Sequence, residues 1–64
     1  MPYLNSSAIS YVEYSDLTRE LHITFRSGGT YTYYGVPRSV YEGLISASSA
    51  GQYYHQHIEG RYGH

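Results

Sequence analysis

Sixty-four residues with a net charge of −1 make one small domain, expected to span residues 1–64, and a chain this short buries only about 60% of its unfolded surface. The absence of cysteine excludes disulfides and thiolate metal sites, and a near-neutral charge leaves no basic field to draw in nucleic acid from a distance. No apolar run approaches the roughly 18 residues of a membrane span, and the first residues lack the charged and apolar regions of a signal peptide, so the expectation is a cytoplasmic protein with no membrane partner.

Met1 to Ser7 reads as a lead-in. The run from Ala8 to Tyr14 favours strand, but Ile9 and Val12 cannot share one face of a regular strand, so a bulge near Ser10–Tyr11 is expected. Ser15-Asp16-Leu17-Thr18 reads as a turn, with Asp16 able to fold back on its own backbone. Leu21, Ile23 and Phe25 alternate with His22, Thr24 and Arg26, the pattern of a half-buried strand. Ser27-Gly28-Gly29 supplies positive-φ positions for a hairpin, and Thr30 to Tyr34, wholly β-branched or aromatic, is the next strand.

Gly35-Val36-Pro37 ends that strand, with Pro37 suited to a first helical turn. Val40, Leu44 and Ala47 then repeat at i, i+4, i+7, widened by Tyr41 and Ile45. Ser48 to Gly51 breaks this helix, and Ser49 is placed to cap a second one in which Tyr54 and Ile58 form an i, i+4 pair. Gly60 stops it. The order β-β-β-α-α predicts an α+β fold: a three-stranded antiparallel β-meander with two helices packed on one face.

Only sixteen side chains are strongly apolar (Val, Ile, Leu, Met, Phe, Ala), while ten are tyrosine. A tyrosine buries a large ring while its hydroxyl reaches water or a partner. Such a core is thin, and self-association, most simply as a two-fold homodimer, is expected to support it. An open edge of the first or third strand, neither carrying lysine or proline, suits that role. Leu21, Ile23, Phe25, Val40, Leu44, Tyr54 and Ile58 are the expected core, joined by Tyr31 and Tyr33.

Several of these pieces occur together in one family. The Ser6-Ser7-x-Ile9 start, the Leu21-x-Ile23-x-Phe25 strand, the glycine turn, Tyr31-x-Tyr33 and Gly35-Val36-Pro37 are followed by Leu44, Ala47-Ser48, Gly51, Tyr53-Tyr54, Ile58 and Tyr62. In this order the chain, over roughly residues 5 to 62, resembles the KTSC domain. That module stands alone in bacterial and phage proteins and closes some lysyl-tRNA synthetases. The resemblance implies a small α+β domain and, through the synthetase context, RNA binding; Glu59 departs from the basic residue that often follows the isoleucine of the last helix.

Two readings of Tyr31 and Tyr33 stay open. A regular aromatic stripe belongs under the helices, but the same rings could form a platform on which bases stack for about 1–3 kcal/mol each. In the first case His22, Thr24, Arg26, Thr30, Thr32 and Tyr34 cover the open face of the sheet. Every cationic side chain is arginine, the planar, stacking form of positive charge. Arg38 can pair with Glu42 at i, i+4, yet it stands in a first helical turn, where a cation opposes the macrodipole unless an anion partners it.

His55 and His57, two apart on a helix, point to different sides and cannot chelate one ion, so neither metal nor cofactor is expected. No nucleophile, base and stabiliser are visibly grouped, and the chain is not expected to be an enzyme. What remains is a small binding module. It binds RNA through Arg26, Tyr31, Tyr33, Tyr34, Arg38 and Arg61, or it uses the same tyrosines and arginines to hold a protein partner.

Overall fold

The computed structural model describes residues 8–63; the lead-in Met1–Ser7, with its Ser6-Ser7 pair, and His64 lie outside them. Strands β1 (Ile9–Ser15), β2 (Glu20–Phe25) and β3 (Thr30–Tyr33) form an antiparallel sheet in the order β1-β2-β3, followed by helices α1 (Arg38–Ser46) and α2 (Ala50–His57). This is the expected α+β arrangement.

The expected bulge resolves the phase of β1. Ile9 faces Phe25 and Tyr11 faces Thr24, so Ser10 is the extra residue, and its hydroxyl donates to the Thr24 carbonyl at 3.2 Å. Because the count slips by one there, Ile9 and Val12 both reach the core. The following turn closes where the Arg19 amide donates to the Ser15 carbonyl at 2.8 Å. Arg19 holds φ +58°, a left-handed conformation, and Leu17 at the tip is 98% exposed. Asp16 does not serve its own turn, as the sequence suggests; its carboxylate reaches Arg38.

The second hairpin needs its glycines. The Gly28 amide donates to the Phe25 carbonyl at 3.0 Å, and the Phe25 amide to the Gly29 carbonyl at 3.1 Å. Gly28 and Gly29 sit at φ +113° and +90°, where a β-carbon is penalised. β3 stops one residue short of Tyr34. Pro37 lies just outside α1 rather than in its first turn, because its ψ of 151° is extended. Its fixed φ and missing N–H still mark the start. Ser49 caps α2 as expected, accepting from the Gln52 amide at 3.3 Å.

The buried core comprises Ile9, Val12, Leu21, Ile23, Tyr33, Val36, Leu44, Ala50 and Ile58. Each large aliphatic member contributes about 1.5–3 kcal/mol by leaving water. Phe25, Val40 and Tyr54, expected inside, pack against this cluster half-buried. The helices meet closely at Gly43: a β-carbon there would lie 2.6 Å from Cζ and 2.9 Å from Cε2 of Tyr53.

Candidate interaction surface

The inner face of the sheet separates the two central tyrosines. Tyr33 is 1% exposed, and its hydroxyl shares a 2.7 Å hydrogen bond with that of Tyr54. Burial, and then this bond, push the Tyr33 phenol well above the usual tyrosine range. Tyr31, on the same face but nearer the hairpin, extends beyond the helices and is 46% exposed. Its expected place in the core is therefore corrected: α2 reaches Phe25 and Tyr33 but stops short of covering Tyr31. An aromatic chain links the two, from Tyr31 to Phe25 (centroids 5.6 Å), to Tyr54 (5.2 Å), to Tyr33 (5.9 Å), all edge-on. Such contacts hold the Tyr31 ring in place without hiding it.

The outer face carries two cross-strand rows, Tyr11–Thr24–Thr30 and Glu13–His22–Thr32. The Thr24 and Thr30 hydroxyls are 2.9 Å apart. His22 Nδ1 is 2.7 Å from Thr32 Oγ1, and its Nε2 is 3.5 Å from Glu20 Oε1. Glu13 and Glu20 thus stand among the polar groups on which the sequence reading built a single-strand surface. Only the register of β1 against β2 shows that Glu13 faces His22, whereas Glu20, two residues before His22 in the same strand, shares its face by parity alone.

The arginines do not converge. Arg38 donates from Nη1 to Asp16 at 2.5 Å and from Nε to Glu42 at 2.9 Å, and it lies over the Tyr41 ring. Those bonds, Asp16 first, raise the affinity of its guanidinium for the proton. The anion that its awkward helical position called for is thus supplied from within the chain. Tyr41 in turn stacks on Tyr14, whose hydroxyl donates to the Val36 carbonyl at 2.6 Å, so Arg38 belongs to a clasp between the first turn and the β3–α1 connection.

Arg61 donates from Nε to the Gln56 carbonyl at 3.1 Å. Arg26 lies in the β2–β3 turn, at the opposite end of β2 from the Asp16–Arg38 clasp; a six-residue strand separates those ends by about 20 Å. Tyr34, 57% exposed, stands beside the tail, its amide donating to the Gly63 carbonyl at 3.0 Å. The six candidates therefore divide. Arg26 and Tyr31 share the hairpin end, Tyr34 and the Arg61-bearing tail lie toward the other, Arg38 is engaged by carboxylates, and Tyr33 is core. The histidines of α2 diverge, His55 to Glu59 and His57 onto the Tyr53 ring at 4.4 Å.

Comparison with known proteins agrees with this architecture. Residues 5–62 match the model of the KTSC domain family. A solved KTSC domain protein from Yersinia pestis superposes with a TM-score of 0.92 at 36% identity, covering 95% of this chain and 86% of that one. Lysine–tRNA ligases of Trichormus variabilis and Nostoc punctiforme are each 41% identical over 56 residues, which is 88% of this chain but 10% of the ligase. A protein of Tsukamurella paurometabola is 34% identical over 97% of this chain and 92% of its own length. Among the described residues no helix is long and apolar enough to cross a membrane.

Proposed function

This chain belongs to the KTSC domain family, and from that premise we propose that it is a non-catalytic protein-interaction module. The observation that carries this reading is the state of its charges. Arg38 is held by Asp16 and Glu42, while the open sheet face carries Glu13 and Glu20 around His22. A strand of phosphates laid there would meet carboxylates, whereas exposed Tyr31 and Tyr34 are anchors of the kind protein interfaces use. His22 does touch the Thr32 hydroxyl, but it does so on the face of a strand, and a hydroxyl and a base alone, with no anion stabiliser placed beside them among the described residues, do not make a catalytic centre.

RNA binding is the second reading, favoured by the matched region of the lysine–tRNA ligases. Titration of labelled single-stranded and tRNA-like RNA at low salt decides between them. The interaction reading expects no binding at high micromolar protein. Binding that weakens with salt along a slope of about −1.5 to −2 would reverse it, since that is the slope for two or three phosphates neutralised on a single strand.

A further inference from the structure

The geometry points to Arg19, flanked by Leu17 and Tyr34, as the anchor of a docking site for a partner polypeptide that presents a carboxylate beside an apolar side chain. This inference rests on the protein-interaction reading and names the chemistry of the partner. Its starting point is a strained residue. Arg19 holds φ +58°, a backbone that glycine adopts freely and arginine does not, and such a conformation persists only where surrounding bonds enforce it. Here they do: the Arg19 amide donates to the Ser15 carbonyl at 2.8 Å, and its carbonyl accepts from the Val36 amide at 3.0 Å. Its side chain is not so committed. Arg19 is exposed, and its guanidinium, unlike that of Arg38, makes no hydrogen bond or ion pair among the described residues. Glycine would make the same turn without strain; what arginine adds is an unengaged planar cation.

The neighbours of that cation suit an interface. Leu17, at the tip of the same turn, is 98% exposed and offers apolar area to a partner. The Val36 bond draws the β3–α1 connection against the turn, and continuing the register beyond Leu21–Tyr33 brings Tyr34 beside Glu20. Tyr34 is 57% exposed, and its hydroxyl has no hydrogen bond among the described residues. Tyrosine and arginine are the side chains on which interface energy concentrates. The platform is also held in place, because Arg38 ties Asp16 of the turn to Glu42 of α1, so little of the turn remains to be ordered on binding. The partner's charge follows from the same surroundings. A guanidinium takes a carboxylate through two parallel hydrogen bonds. Asp16 and Glu20 lie within three residues of Arg19 in the chain, so a row of phosphates across this end would meet carboxylates. A single carboxylate can instead be taken by Arg19 while its apolar neighbours rest on Leu17 and Tyr34.

The test is a library of random short peptides displayed on phage and selected on the immobilised full chain. Enriched sequences are then synthesised, and their affinities for the wild type, Arg19→Gly, Arg19→Lys and Tyr34→Ala are measured by fluorescence anisotropy. The enriched peptides are expected to carry Asp or Glu next to an aliphatic or aromatic residue. Arg19→Gly and Tyr34→Ala should bind them about tenfold more weakly or worse. Arg19→Lys should fall between, because an ammonium keeps the charge but not the paired bonds. Thermal melts of the same proteins separate this from misfolding: Arg19→Gly should melt higher than the wild type while binding less, opposite signs that a purely structural role cannot produce. Enriched peptides that lack an acidic residue, or that bind Arg19→Gly or Tyr34→Ala as tightly as the wild type, would overturn this inference and leave the protein-interaction reading in place. A library from which no peptide is enriched would overturn both.

Discussion

Gly43 offers a substitution whose sign should depend on one neighbour. Replacing glycine by alanine inside a helix normally stabilises by about 1 kcal/mol, and α1 is a regular helix around this position. Here, however, the added methyl would fall 2.6 Å from Cζ and 2.9 Å from Cε2 of Tyr53. That ring cannot swing away freely, because it packs on His57 and against the core. Overpacking of this kind costs about 1–3 kcal/mol. Gly43→Ala should therefore come out destabilised by about 1 kcal/mol, or about 4–8 °C in Tm for a domain this size. In a Tyr53→Ala background the clash is gone, and the same change should stabilise by about 1 kcal/mol. Thermal and urea melts of the four proteins, followed by circular dichroism, close the cycle. If Gly43→Ala stabilises both backgrounds equally, Tyr53 does not press on α1 and the account of the helix contact is wrong.

The buried Tyr33 phenol gives a pH dependence. Its folded pKa is raised by burial and by Tyr54, so its contribution is complete below the unfolded value near 10 and is lost as pH rises from there toward the folded value. Urea midpoints should hold between pH 7 and 9 and fall above about 10, and Tyr33→Phe should fall less steeply. Arg19→Gly should raise stability by about 0.5–1 kcal/mol, because glycine accepts the left-handed backbone that arginine holds under strain; Arg19→Val should lower the urea midpoint instead. Tyr14→Phe removes the 2.6 Å bond to the Val36 carbonyl and should cost about 1 kcal/mol in the same melts.

Much of the fold was legible because local signals agreed with one another. Alternation in Leu21–Phe25, the paired glycines after Ser27 and the capping Ser49 each specify a backbone shape within a few residues. The β1 bulge could be read for the same reason: Ile9 and Val12 are both apolar and out of step. What could not be read depends on where elements stop in space. Tyr31 and Tyr33 have the same parity and chemistry, and only the reach of α2 makes one core and the other surface. Gly43 looks like an indifferent helical glycine until Tyr53 is placed against it, and Arg19 carries no sequence mark of a left-handed turn.

The charges follow the same logic, and they bear on the proposed function. In sequence, Arg38 beside Glu42 is an ordinary i, i+4 pair that leaves the guanidinium able to serve a ligand. The fold adds Asp16, 22 residues away, so that Nη1 meets one carboxylate and Nε another. Recruiting Arg38 to a phosphate would then mean displacing two carboxylates already in place. An arginine so engaged offers less to a polyanion than its place in the first helical turn suggests.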